Sequence, residues 1–443
     1  MAEVLRSIGL DVGTTSTQMI FSELTIQNRA SAFSVPDMEI AQRKILYRSP
    51  IYFTPLLHNE LVDGKGIRAI VAAEYEKIGI SRSDVDTGAI IITGETSRKE
   101  NAATVLHSIS DFAGDFVVAT AGPELESVLA AKGAGAVEFS AETGKQVLHM
   151  DIGGGTSNLA LIEKGKITST ACLNVGGRLL KIDKDGRITY ISPVIRGIFD
   201  ASIGQKPTLP QLQALAGTLA QALEMAAGLR KPTELIGKLW TTECTSLWTP
   251  PMGDVVISFS GGVADCIERS NPDFAFGDLG VLLGRAIKNS LLCQMAYRLG
   301  SETIQATVIG AGCHSAQLSG STVYYQNITF PLKNLPVVTN IPSLSQLDGP
   351  GVLALVGTPA AHYGQILALA DEIAAAWPAQ PVLIALQGDM AKALGHALAL
   401  RFPKDRPILC IDRVSLAENS YLDVAAPVGT ALPVVVKTLI LNR

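Results

Sequence analysis

The sequence predicts an α/β protein in which one subdomain design is used twice around a cleft, with a separate α/β domain after it. Three observations carry that expectation. Short apolar runs such as GAIIITGE (88–95) and DFVVATAG (115–122) alternate with helical stretches, the pattern of a layered α/β unit. Asp11-Val12-Gly13 recurs without a gap 140 positions later as Asp151-Ile152-Gly153, and Ser16, Thr17 and Gln18 then overlie Thr156, Ser157 and Asn158. Beyond Asn334 a further strand-helix alternation runs for about a hundred residues. At about 150 residues per domain, 443 residues hold about three units. The expected boundaries are 1–146, with a small insertion at about 35–85, then 147–328 and 329–443.

Composition narrows the class. Apolar residues make up 47% and charged residues 17%, with 41 Gly and 22 Pro spread along the chain, so neither a disordered nor a collagen-like polymer is expected. The net charge is −5 and no basic stripe is present, which argues against nucleic acid as a partner. Six cysteines form no C-x-x-C pair and six histidines no H-x-x-x-H, so buried reduced thiols are expected in place of a thiolate or imidazole metal site. The N-terminal stretch lacks a long apolar h-region, and no continuous apolar run approaches the ~20 residues of a membrane span. A soluble, intracellular protein is the expectation.

Element by element, residues 4–24 read as strand, Gly/Thr turn and strand. Pro36, Pro50 and Pro55 break the next stretch before a helix over Gly66–Gly79. Strands at 88–95 and 115–122 enclose a helix over about 100–113, and Pro123 is placed to start a helix reaching about Lys132. Three consecutive antiparallel strands follow from residue 147 to 177, with Lys164-Gly165 as a hairpin turn. Residues 208–228 read as helix and 229–252 as connection. The run 254–266 reads as a buried strand entering a Gly turn and helix, and 305–320 as a repeat of that pattern. In the tail, strands at GVLALVGT, PVLIALQGD, RPILCID and PVVVKTLIL alternate with helices over about 359–376 and 389–401.

The repeated carboxylate-glycine-hydroxyl turn is where chemistry is expected. Glycine admits a phosphate close to the backbone, exposed N–H groups and Thr/Ser hydroxyls donate to it, and an Asp can hold water on Mg²⁺. Such neutral donors with Mg²⁺ stand in for a Walker lysine, which the chain lacks. A single D-x-G-T-T is a weak signal, and its paired occurrence favours phosphate binding. Ser260-Gly261-Gly262 and Gly310-Ala311-Gly312, taken alone, fit tight packing of a strand against a helix. Their order after the paired aspartates resembles the nucleotide site of the actin, heat-shock chaperone and sugar kinase superfamily. Asn174-Val175-Gly176-Gly177-Arg178 is similar to the glycine pair after the third strand in its chaperone-like members. The resemblance implies duplicated actin-like (ribonuclease H-like) ATPase subdomains and a C-terminal α/β domain.

A closer resemblance spans almost the whole chain and is poor only between about 185 and 252. SPIYFTP (49–55), GAIIITGETSRKENA (88–102), FVVATAGPELESVLAAKGAGA (116–136), TACLNVGGRLL (170–180), NITFPLKNLPVV (327–338) and YLDVAAPVGTALPVVVKTL (421–439) resemble the ethanolamine ammonia-lyase reactivating factors. That family implies an ATP-dependent, chaperone-like protein whose partner is the adenosylcobalamin enzyme ethanolamine ammonia-lyase, promoting exchange of damaged cobalamin for intact adenosylcobalamin. It implies a cytoplasmic location, with recruitment to a bacterial microcompartment where ethanolamine breakdown is housed in one. ATP and Mg²⁺ are the expected cofactors. Asp11 and Asp151 are expected to hold Mg²⁺ through water, and Asp151 also to position the attacking water. Gly13, Thr14, Thr15, Gly153, Gly154, Gly155 and Thr156 are expected around the phosphates, and Ser260, Gly261, Gly262 and Gly310 near the adenosine. A small-molecule kinase and a nucleotide-gated actin-like scaffold stay open as alternatives. Glu95 reads equally as a third carboxylate or a helix cap, His314 as an ordinary helix-start residue, and Gly388-Asp389 as a helix N-cap.

Overall fold

The computed structural model describes residues 3–13, 16–28, 38–57, 61–81, 84–93, 117–120, 123–241, 248–251, 253–314, 316–319, 322–347, 349–357, 362–377, 381–414, 416, 420–427 and 432–438. The expected helix at about 100–113, Thr14, Thr15 and Glu95 lie outside the described residues.

In the first lobe, β1 (Glu3–Val12), β2 (Ser16–Asn28), β3 (Met38–Arg48), β4 (Thr87–Ile92) and β5 (Val117–Thr120) form a sheet in the order β3-β2-β1-β4-β5, with the short strand Tyr52–Phe53 added along β2. β1, β2 and β3 are antiparallel neighbours, and β1, β4 and β5 run parallel. Helix α1 (Gly64–Ile78) starts at Asp63, whose side chain accepts from Lys65 N, and stops at Gly79, where φ is 69°. Its buried Ile67, Val71 and Tyr75 recur at the spacing of one helical face and close one side of this sheet.

In the second lobe, β6 (Gln146–Ile152), β7 (Ser157–Glu163), β8 (Lys166–Leu173), β9 (Val255–Ser260) and β10 (Tyr297–Leu299) repeat the plan in the order β8-β7-β6-β9-β10. Lys164 and Gly165 both take positive φ, at 50° and 76°, as a two-residue hairpin requires. Between the strands of the two lobes lie α2 (Pro123–Gly133) and α3 (Ala136–Thr143). The second sheet is backed by α4 (Leu209–Ala226) and α5 (Gly280–Lys288), and α4 opens with a reciprocal Thr208–Gln211 capping box.

Helix α6 (Ala306–His314) lies on the first lobe's sheet, where Ser7 Oγ donates to Gly312 O at 2.6 Å, and crosses α2. At the crossing a Cβ on Gly133 would stand 1.8 Å from Ala306 O, and one on Gly310 would stand 2.1 Å from Leu129 O. Only glycine lets these two backbones meet. The expectation of a second strand and Gly turn at 305–320 is therefore corrected, because Thr307, Val308 and Ile309 belong to a buried helix. A short apolar β-branched run carries no period that separates the two states. His314 accordingly ends a helix, where the sequence placed it at a start.

The C-terminal domain is an eight-stranded mixed sheet. Its strands are β11 (Ala316–Leu318), β12 (Tyr324–Gln326), β13 (Leu332–Val338), β14 (Val352–Leu355), β15 (Val382–Leu386), β16 (Ile408–Ile411), β17 (Ser420–Val424) and β18 (Pro433–Thr438), in the order β11-β18-β17-β13-β14-β15-β16-β12. Helices α7 (Tyr363–Ala376) and α8 (Ala391–Ala399) cover one face. The sheet takes in β11 and β12 from before residue 329, since three-residue edge strands leave no readable alternation. Likewise β3, expected within an insertion, is an edge strand of the first sheet; its Glu39, Gln42, Arg43 and Lys44 suit an edge and mask the strand pattern. Asp389 does not cap α8, whose N-cap is Met390, and instead holds Arg413 in a two-pronged ion pair at 2.8 and 3.2 Å.

Candidate functional site

The two lobes place the same turn at the same point of their sheets. Gly13 N donates to Ser16 O and Gly153 N to Thr156 O, both at 2.9 Å, closing the β1–β2 and β6–β7 hairpins alike. Asp11 pairs across the strands with Gln18, and Asp151 with Asn158. Directly paired residues on antiparallel strands project to one face, so an amide lies beside each carboxylate.

The first turn is buttressed from outside its hairpin. Thr93, at the end of β4, donates from Oγ1 to Asp11 Oδ1 at 2.8 Å, and Thr54 donates to Gly13 O at 2.7 Å. In the second lobe, Gly177 N donates to Gly153 O at 3.0 Å and Arg178 N to Gly154 O at 2.6 Å. A Cβ on Gly176 would meet Gly154 O at 2.3 Å, so the glycine pair is what allows this loop to seat against the turn. The Arg178 side chain runs alongside Gly154 and pairs with Asp278 at 3.3 Å.

Ser260 ends β9 opposite Asp151 in the parallel pairing, and its hydroxyl donates to Asp151 Oδ1. Gly261, at φ 88°, passes over the end of β6, where a Cβ would stand 2.3 Å from Ile152 O. Gly155 and Gly262 have open space where a Cβ would be. Of the expected site residues, Asp151, Gly153–Thr156 and Ser260–Gly262 are thus brought together in the second lobe, with Asp11 and Gly13 on the matching turn of the first. Gly310 sits in the α2–α6 crossing, and that crossing accounts for its glycine.

Burial pushes the Asp11 carboxyl up to about 7, with the Thr93 hydroxyl pulling it down and the charge of Asp151 raising it further. Burial likewise pushes Asp151 up to about 6, against the hydroxyls of Ser260 and Thr307. The charge of Asp151 acting on Asp11 sets the two carboxylates against each other across the lobes. Gln18 Oε1 and Asn158 Oδ1, beside them, are buried without a hydrogen-bond partner. Two carboxylates and two orphaned amide acceptors suit a hard cation that keeps its water shell, as Mg²⁺ does. Among the described residues no group of three or more His, Cys, Asp or Glu converges, so a cage of direct protein ligands is not built here.

Sequence reasoning missed Thr93, Thr54, Thr307 and His149. Lone hydroxyls on distant segments carry no motif, and His149, two residues before Asp151, reads as a core position. It is fully buried, with Nε2 2.9 Å from Ser260 Oγ and Nδ1 3.2 Å from Ser258 Oγ. Burial holds its imidazole down at about 3, and the charge of Arg298 adds to this.

Duplicated sheets of one strand order, each opening on an aspartate-bearing hairpin, define an actin-like fold. The chain matches the model of the family described as ethanolamine utilisation protein EutA over residues 3–348 and 342–442, and it belongs to that family. It is 38% identical over 472 residues to the ethanolamine ammonia-lyase reactivase EutA of Salmonella typhimurium, and 38% identical over 464 residues to that of Escherichia coli. Each alignment covers 98% of both chains. Among solved structures, a Ppx/GppA family member from Aquifex aeolicus is 13% identical with a TM-score of 0.42, covering 69% of this chain and 97% of that one. No helix among the described residues is long and apolar enough to cross a membrane.

Proposed function

We propose that this protein is an ATP-dependent reactivating factor for ethanolamine ammonia-lyase, driving exchange of damaged cobalamin for intact adenosylcobalamin on that enzyme. The observation that carries the reading is the pair of identically closed aspartate hairpins, Asp11–Ser16 and Asp151–Thr156, in a chain of this family. Asp11 and Asp151 would hold Mg²⁺ through its waters, helped by the amide oxygens of Gln18 and Asn158. When bound, such an ion would supply charge neutralisation for the phosphates. The backbone of Gly13 and Gly153–Thr156 cradles phosphate oxygens, Arg178 adds a cation beside the second turn, and Ser260–Gly262 approach the adenosine. Asp151 orients the attacking water. Because each turn belongs to a different lobe, a γ-phosphate touching both favours one lobe arrangement, and its loss releases that arrangement. Cobalamin is handled on the partner.

The reading is tested by mixing the protein with ATP, Mg²⁺, excess adenosylcobalamin and lyase preloaded with cyanocobalamin, and following acetaldehyde. Recovery that requires ATP and is lost in Asp11→Ala and Asp151→Ala is expected. ATP binding without recovery overturns the assignment.

A further inference from the structure

The three side chains His149, Ser258 and Ser260 form a buried chain that the turn motif does not require. Asp151 accepts from the Ser260 hydroxyl, which has a single hydrogen and spends it there. The contact between Ser260 Oγ and His149 Nε2 at 2.9 Å therefore needs its hydrogen from the ring, so Nε2 carries a proton. Nδ1, at 3.2 Å from Ser258 Oγ, is then free to accept from that hydroxyl in the neutral ring. The order of donation is Ser258 to His149, His149 to Ser260, and Ser260 to Asp151.

The duplication shows that the fold does not need this chain. His149 and Asp151 pair in parallel with Ser258 and Ser260, and the matching pairs in the first lobe are Gly9 with Ala89 and Asp11 with Ile91. There α6 fills the space, with a Cβ on Gly9 standing 2.5 Å from Val308 O. The same strands thus form with no polar side chain at the three equivalent positions. In the second lobe three polar groups are buried at 0% exposure, and the chain they form ends, among the described residues, at the carboxylate of the Asp151 turn.

We propose that His149 is a positioning residue for Asp151, its Nε2–H committing the Ser260 hydroxyl to that carboxylate and so fixing the direction the carboxylate offers to the cation and its water. The proposal rests on the nucleotide reading above. Groups that hold a metal's direct ligands typically contribute 10- to 100-fold to its affinity, and the lower end applies to His149 because Asp151 reaches the cation through its water. The test uses the full chain and two amide replacements. His149→Gln presents an N–H where Nε2 stands, whereas His149→Asn presents one only where Nδ1 stands.

Affinity for Mn²⁺·ADP, read by electron paramagnetic resonance, is expected to stay close to wild type in His149→Gln and to fall about 10-fold in His149→Asn. Equal affinities, or equal losses, overturn the proposal. Nitrogen NMR of the histidine-labelled wild type gives a second readout, with the His149 signals assigned through their couplings to the His149 backbone. Protonated Nε2 and bare Nδ1 are expected, and the opposite tautomer overturns the proposal even if a variant does not fold. Wild-type protein that binds no Mn²⁺·ADP overturns the nucleotide reading and this one together; wild-type binding with the wrong tautomer overturns this one alone.

Discussion

Replacing Gly310 by alanine separates packing from ligand contact. The added Cβ would lie 2.1 Å from Leu129 O and 2.6 Å from Leu129 C, both backbone atoms that cannot rotate away. Relief requires α2 and α6 to part by about 1 Å, which places the change at the upper end of the roughly 1–3 kcal/mol cost of overpacking. With an unfolding entropy of about 2.1 cal/mol/K per residue over the roughly 330 residues of two lobes, ~3 kcal/mol lowers the midpoint by about 4 °C. Gly217 is the control: it lies inside α4 with nothing within 4 Å of its would-be Cβ. Gly217→Ala is expected to stabilise by about 0.5–1 kcal/mol, because alanine loses less backbone freedom in a helix. Calorimetric melting of both variants, with ATP affinity measured well below the transition, distinguishes the roles. A Gly310→Ala protein that melts with the wild type yet has lost ATP would refute the crossing argument and return this glycine to the adenosine.

Without metal, the raised Asp11 carboxyl makes the folded state bind its proton more tightly than the unfolded state does. Its contribution to stability is complete below about pH 3.8 and is lost as pH rises toward about 7. Asp11→Asn is therefore expected to raise the melting temperature of metal-free protein at pH 8 and to leave it unchanged near pH 4; equal shifts at both would show that the carboxylate is not strained by burial. Glu224, buried on α4, accepts from Arg230 Nε at 2.6 Å and Leu291 N at 2.9 Å, so Glu224→Ala should cost about 1–3 kcal/mol in urea unfolding. An unchanged urea midpoint would mean that water replaces both bonds. Arg178→Ala should weaken ATP binding about 10-fold by titration calorimetry, the worth of one charge-assisted hydrogen bond, and unchanged affinity would place the guanidinium away from the phosphates.

Much of the fold was legible because it rests on local pattern. The two hairpins and their shared turn follow from glycine and hydroxyl spacing, the Lys164-Gly165 turn from a glycine that tolerates positive φ between two apolar runs, and α1 and α4 from their apolar periods and end signals. The same logic fixed Asp11 and Asp151 as the paired carboxylates, since a repeat in sequence becomes a repeat in space when both copies fold alike. Where the period was short or absent, as in α6 and the edge strands β3, β11 and β12, the sequence was ambiguous and the neighbours chose. Val308 and Ile309 became helix because α6 can bury them against the first lobe's sheet while Gly133 and Gly310 let α2 pass at backbone contact. The surroundings of the aspartates were likewise decided only in three dimensions. Thr93 reaches Asp11 from 82 positions away and Ser260 reaches Asp151 from 109, so the hydroxyls that set these carboxylates are joined to them by strand pairing and by no sequence spacing. The sequence by itself determined which residues bear the charge; the tertiary structure decided how that charge is desolvated, opposed and held, because burial and hydrogen bonding belong to neighbours that only folding supplies.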